Sequence, residues 1–242
     1  MRVALFVACF DDALFPATGK AVTALLERLG HEVSYPPGQT CCGQVHWTTG
    51  YHREAAGLAR AFTAAFEGAE VIVAPSASCA AAVRDAYPRI ARAARDPALA
   101  RAAEELAVYE LTEFLVDVLG VTDVGAYFPH RVAYHPSCQS ARALGVADRP
   151  LRLLRAVKGL DLVDLPAADE CCGFGGAFAM KNADVSVAMV ADKVRHVRDT
   201  GADVVCAVDN GCLAHIGGAL SRLRGGVRVM HVAEILAGTG PA

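Results

Sequence analysis

Gln39-Thr40-Cys41-Cys42-Gly43-Gln44 recurs, 130 positions later, as Asp169-Glu170-Cys171-Cys172-Gly173-Phe174. Each pair of adjacent cysteines is flanked by two more in the same register. Cys9 precedes the first pair and Cys79 follows it; Cys138 and Cys212 do the same for the second. The offsets between equivalent positions are 129, 130, 130 and 133, so eight of the nine cysteines share one pattern. Chance does not place adjacent cysteines twice with matching flanks. The chain therefore reads as a tandem repeat, one copy over 1–126 and one over 127–242, each offering four thiols. Four thiolates are a common complement for a metal ion or an iron–sulfur cluster.

Working outward from the pairs, the order of elements repeats as well. RVALFVA (2–8) reads as a buried strand ending at Cys9, and EVSYP (32–36) as a short strand before the first pair. AEVIVAP (69–75) leads to Cys79. In the second half RVAYHP (131–136), LDLVDLP (160–166) and ADVVCAVD (202–209) stand in the same places, with VRVMHV (227–232) beyond them. Helical periodicity fills the intervals at 17–29, 51–67, about 111–119, 149–158 and about 179–199, with a break at Asp96-Pro97. Short apolar strands alternating with helices predict an α/β fold, here two lobes, each a small parallel sheet flanked by helices. Every cysteine station follows a strand. Strand carboxyl ends share one edge of a parallel sheet, where ligand sites form. The spacing thus predicts that Cys9, Cys41, Cys42 and Cys79 converge in one lobe, and Cys138, Cys171, Cys172 and Cys212 in the other.

Composition bounds the function. With 54% hydrophobic residues among 242, there is ample material for buried strands. No segment approaches the roughly 18 uninterrupted apolar residues of a membrane span. A net charge of −3 with no basic stripe argues against a nucleic-acid partner. Nine cysteines behind a start, MRVALFVACFDD, without secretory character point to metal or redox chemistry in a reducing, cytoplasmic setting.

Thiolate is the ligand form of cysteine, for iron and zinc alike. Successive side chains alternate on extended backbone, so neighbours in a pair would reach different atoms of a polynuclear centre. Gly43 and Gly173 would allow positive φ or close approach, and backbone N–H groups there could bond to sulfur. His135, three before Cys138, and His215, three after Cys212, are candidate ligands or hydrogen-bond donors to sulfur, or else ordinary polar residues. His46 and His52 lie just past the first pair, and Arg142 near Cys138 reads as a solvated surface residue or an anion partner. Gly173-Phe174-Gly175-Gly176 lacks the third glycine of a dinucleotide fingerprint. Cys206 aligns with Val73 in the equivalent strand and reads as core. Structural disulfides and a thiol redox switch at a cysteine pair are the remaining readings of the eight.

The same residues resemble a known family. The duplicated Cys…Cys-Cys-Gly…Cys module is similar to the cysteine-rich CCG domain of iron–sulfur oxidoreductase subunits. That family includes one component of heterodisulfide reductase and the iron–sulfur subunits of glycolate oxidase and anaerobic glycerol-3-phosphate dehydrogenase. The chain most resembles its lactate-utilisation branch, through QTCCGQ (39–44), GYHREA (50–55), VAPSASC (73–79), TEFLVDVLGVTDVGA (112–126), AYHPSC (133–138), LLRAVKGLDLVDLP (153–166), DECCGFGGAF (169–178), GCLAHIGG (211–218) and VRVMHVAEIL (227–236). The resemblance implies a cytoplasmic bacterial subunit for L-lactate oxidation, acting with a ferredoxin-like iron–sulfur partner and a third subunit. It implies one or two thiolate-bound clusters, with a small 2-hydroxy acid as the complex's substrate.

Two departures matter. The fullest form of the module ends in Cys-x-x-Cys and brings five cysteines to a noncubane [4Fe–4S] cluster. Here Ala82 lies three after Cys79, and Asp209 three before Cys212, so four thiols remain per half. Four suffice for a cubane [4Fe–4S] cluster or one zinc ion. Gln139 also stands where relatives carry histidine. Three functions compete: an electron-transferring or catalytic subunit, for lactate, glycolate or another 2-hydroxy acid; a zinc-stabilised assembly subunit; and a metal-free redox sensor.

Overall fold

The computed structural model describes residues 1–240 and divides into two compact units, Met1–Phe114 and Leu115–Ala242. Each is built on a four-stranded parallel sheet, so the tandem α/β repeat expected from the cysteine register is the fold.

In the first unit β1 (Arg2–Leu5), β2 (Glu32–Ser34), β3 (Val71–Ala74) and β4 (Val108–Glu110) stand in the order β2-β1-β3-β4. The central strands are apolar runs. All four residues of β3 are buried, as expected of a parallel strand covered on both faces. The coverings are α1 (Cys9–Leu14), α2 (Pro16–Arg28), α3 (Gln44–Thr48), α4 (His52–Ala65), α5 (Ala77–Ala81), α6 (Tyr87–Ala94), α7 (Pro97–Glu104) and the single turn α8 (Leu111–Glu113). Helix α2 buries Thr18, Gly19, Val22, Leu25 and Leu26, a one-sided stripe at helical spacing. Helix α4 sends Phe62 against Phe6 of the first strand's extension, edge to face with ring centroids 4.7 Å apart. Phe66 and Tyr87 complete that aromatic core.

The second unit repeats the plan. Strands β5 (Arg131–Tyr134), β6 (Asp161–Val163), β7 (Val204–Ala207) and β8 (Arg228–His231) run in the order β6-β5-β7-β8. They are flanked by α9 (Asp148–Arg155), α10 (Phe178–Lys181), α11 (Ala183–Asp199), α12 (Asn210–Arg222) and α13 (Val232–Ala237). Cys206 lies in β7, fully buried, in core as its alignment with Val73 implied.

Three local features differ from the sequence reading. Strand β4 is absent from it, because Val-Tyr-Glu is too short to show a period; it forms by pairing with β3. The apolar stretch 111–119 is not one helix but α8 followed by a π turn, Phe114–Val118. The long helix at 179–199 is broken at Asn182 (φ −132°, ψ 52°), which ends α10 and starts α11.

Sheet order sets the position of the site. From β1 the chain moves outward to β2, then returns across β1 to β3. The carboxyl ends of β1 and β3 therefore flank the point where the winding reverses, which is where open α/β sheets hold ligands. Cys9 follows β1 and Cys79 follows β3; in the second unit Cys138 follows β5 and Cys212 follows β7.

Candidate metal centres

Each unit gathers its four thiols at that edge. In the first, the Sγ atoms of Cys42 and Cys79 lie 3.3 Å apart, and Cys41 is in hydrogen-bond contact with both Cys42 and Cys9. In the second, Cys171 contacts Cys138 and Cys172, and Cys172 contacts Cys212. All eight are free thiols among the described residues. Of the four stations in each unit, only the adjacent pairs lie on loops. Cys9, Cys79 and Cys212 sit in the first turn of α1, α5 and α12, and Cys138 immediately before a π turn, Gln139–Ala143. A helix amino end carries partial positive charge and unpaired N–H groups, which favour thiolate over thiol.

The pairs divide their roles by alternation. Cys42 and Cys172 are buried, while Cys41 and Cys171 are half-exposed. The glycine after each pair has φ near the left-handed region, +80° at Gly43 and +86° at Gly173. That turn aims its N–H back at sulfur: Gly43 N donates to Cys41 Sγ and Gly173 N to Cys171 Sγ, each at 3.4 Å. A thiolate accepting several hydrogen bonds is stabilised. Cys42 and Cys9 as donors, then Gly43, hold the Cys41 thiol far below its ordinary range. Cys138, Cys172 and Gly173 do the same for Cys171. Their donor partners shift the other way: Cys9, Cys42, Cys138 and Cys172 are raised by the contact with Cys41 or Cys171 and by burial. Four close sulfurs sharing protons in this way are the arrangement a metal replaces with bonds.

The loops are pinned by different means. Gln39 secures the first, its Oε1 accepting from Val7 N at 3.0 Å and its Nε2 donating to Leu5 O at 3.1 Å. In the second, Arg142, exposed at the surface as the sequence implied, donates to Asp169 O at 3.1 Å and so also anchors the cysteine loop. Ser137 donates to Asp209 at 2.5 Å, joining the chain after β5 to the start of α12.

Among the histidines, His135 is 1% exposed. One of its ring nitrogens and the Sγ atoms of Cys172 and Cys212 all lie within 4.8 Å of one another. Neither ring nitrogen has a hydrogen-bond partner among the described residues. Burial, then the nearby Lys193 charge, lowers its pKa to about 4, so the ring is neutral. His215 Nε2 instead pairs with Ser186 Oγ at 3.1 Å, and Ser186 also donates to Gly173 O at 2.8 Å. His215 therefore supports the turn. His46 lies close enough to Cys41 to favour its thiolate, and exposed His52 packs at a tilt against Trp47.

Lys193 escaped the sequence reading. Its side chain is fully buried and its Nζ donates to Ala167 O at 2.6 Å. The signal was there: a lysine in the buried stripe Val190, Val194, Val197 of α11.

The donor set fits a thiolate-bound metal or cluster: convergent sulfurs, two stabilised thiolates, N–H groups on sulfur and an orphaned imidazole. The family model "Cysteine-rich domain" (CCG) matches residues 3–84 and again 132–217. A lactate utilization protein A from Oceanobacillus iheyensis is 46% identical over 238 residues, 98% of this chain and 96% of that protein. Its counterpart from Geobacillus kaustophilus is 49% identical over 238 residues, 98% of each. Among solved structures, an aspartate racemase homologue from Pyrococcus horikoshii matches at a TM-score of 0.33 and 13% identity, covering 98% of this chain and 95% of that one, too weak a likeness to support any inference. Two cysteine-rich modules, in a chain 46% and 49% identical to these relatives over 98% of its length, make it a member of the lactate utilization protein A family.

Proposed function

We propose that the chain is an iron–sulfur subunit of an L-lactate oxidation system. The observation that supports this most is the pair of four-thiol sets at the two sheet switch points, in a chain nearly half identical to lactate utilization proteins A. Cys9, Cys41, Cys42 and Cys79 would hold one centre; Cys138, Cys171, Cys172 and Cys212 would hold the other. A thiolate-bound cluster exchanges one electron at a time, and two such centres match the two electrons released when a 2-hydroxy acid becomes a 2-oxo acid.

The protein's own part is positioning and tuning. Helix amino ends and the Gly43 and Gly173 amides offset the negative charge of the thiolates. Burial of Cys42 and Cys172 keeps water from the inner sulfurs. Among the described residues no helix is long and apolar enough to cross a membrane. The reading is of a cytoplasmic subunit that passes electrons to a ferredoxin-like partner, with a third subunit completing the system.

The test is anaerobic purification followed by assay of iron, acid-labile sulfide and zinc, with an EPR spectrum of the reduced protein. About four or eight irons per chain with matching sulfide are expected. The Cys212→Ser variant should lose metal, and Cys206→Val, which only restores the first unit's core residue, should not. Zinc without sulfide would remove electron transfer from this subunit and leave a zinc-stabilised assembly role.

A further inference from the structure

The two units are alike in backbone but not in what lies behind the thiols. Strands β1 and β5 align so that Phe6 corresponds to His135. Helices α4 and α11 align with a shift of 131 from their burial patterns: Ala55, Ala59, Phe62 and Thr63 are buried in one, Ser186, Val190, Lys193 and Val194 in the other. The glycines confirm that shift, because a Cβ on Gly43 would meet Ala55 and Leu58, and one on Gly173 would meet Ser186 and Met189. The edge-to-face pair Phe6–Phe62 thus becomes His135 and Lys193 in the second unit.

Neither replacement is satisfied by the protein alone. A neutral imidazole carries one N–H and one lone pair. Surrounding thiolates could accept the N–H, but they cannot satisfy the lone pair; a metal ion can. Lys193 is a fully buried ammonium, hydrogen-bonded to one backbone carbonyl and without a carboxylate in salt-bridge range among the described residues. A buried charge without a directly paired counter-charge is costly, and the negative groups that act on it are Glu170, Cys172, Asp169 and Cys171. The two defects call for the same remedy, a metal carrying an anionic thiolate shell.

We infer that the two centres are chemically inequivalent: the first is held by thiolates only, and the second takes His135 as a nitrogen ligand beside Cys172 and Cys212, with Lys193 as its buried counter-charge. The inference rests on the metal-binding reading above. A buried positive charge beside a centre favours its reduced state. The second centre is then the more easily reduced of the two.

The experiment uses the full chain, purified without oxygen, labelled with 15N-histidine and reduced by dithionite, which donates one electron to each centre. Pulsed EPR of the wild type should show strong coupling to one histidine nitrogen, and a redox titration should resolve two midpoint potentials. In His135→Phe the coupling should vanish. In Lys193→Met the higher potential should move down toward the lower, which stays in place. Absence of histidine coupling in the wild type overturns the ligand assignment without any need for a variant to fold, and its survival in His135→Phe overturns it as well. Two clusters with a single common potential overturn the inequivalence, while leaving the iron–sulfur reading intact. If iron and sulfide are absent, that reading fails instead. Cobalt(II) in place of zinc then gives the same nitrogen measurement, and coupling to His135 still decides this inference.

Discussion

Gly173 has no room for a methyl group. A Cβ there would lie 2.8 Å from Ser186 O and 2.9 Å from Met189 Cβ, at a φ of +86°. At Gly43 the nearest atoms would be 3.4 Å away, ordinary contact, although φ is +80°. Left-handed backbone costs an L-residue about 1–2 kcal/mol, and overpacking adds about 1–3 kcal/mol. Gly173→Ala should therefore destabilise the protein by several kcal/mol and Gly43→Ala by about 1–2 kcal/mol. Urea unfolding of the two variants checks the ranking; equal losses would mean that the second turn relaxes freely. The difference follows from how closely α11 approaches the turn, with Ser186 donating to Gly173 O. The glycine itself was legible beside each cysteine pair. The tightness of the second site was not, since it depends on a helix that begins ten residues later.

At the scale of elements, the end of the first sheet depends on one buried carboxylate. Glu110 closes β4 and caps α8, accepting from Thr112 N at 2.8 Å and Glu113 N at 3.2 Å. Glu113 returns a bond to Glu110 N at 3.2 Å and is gripped by Arg84, whose Nη1 reaches both carboxylate oxygens at 2.8 Å. Glu110→Ala leaves two N–H groups without their acceptor and should cost about 1–2 kcal/mol. Glu110→Gln, which keeps one acceptor oxygen, should recover part of it, and a shift in chemical-denaturation midpoint for both measures the cap. An unchanged midpoint in Glu110→Ala would show that solvent replaces it. Strand β4 escaped the sequence because three residues carry no period, and pairing with β3 supplies what propensity does not. The break at Asn182 escaped for the opposite reason: apolar periodicity runs on through it, while the backbone turns to separate α10 from α11.

For the molecule as a whole, metal binding and stability are linked. A group that binds the native state alone stabilises it by about 2.7 kcal/mol when its free concentration is one hundred times Kd. Protein stripped of metal by chelation under reducing conditions should melt at a lower temperature than the loaded chain, and reconstitution should restore the difference. Equal melting temperatures would mean that the thiol sets are preformed and metal adds nothing to folding. Without metal, several thiols and the Lys193 ammonium stay buried and poorly compensated. The loss should therefore fall more on the second unit, which hydrogen exchange can resolve.

The duplication, the alternation of strand and helix, and the convergence of Cys9, Cys41, Cys42 and Cys79, and of Cys138, Cys171, Cys172 and Cys212, are legible in the order of residues alone. These follow from spacing, because a parallel sheet brings every strand end to one edge whatever the helices do. What stands behind the thiols is set by packing in the folded chain. His135 and Lys193 are far apart in the chain and ordinary taken singly; packing of α11 against the second sheet brings them to one buried place. Periodicity records which face of a helix is buried, but not which partner fills the space beneath it, so an aromatic core in one unit and a polar one in the other look alike until the chain is folded.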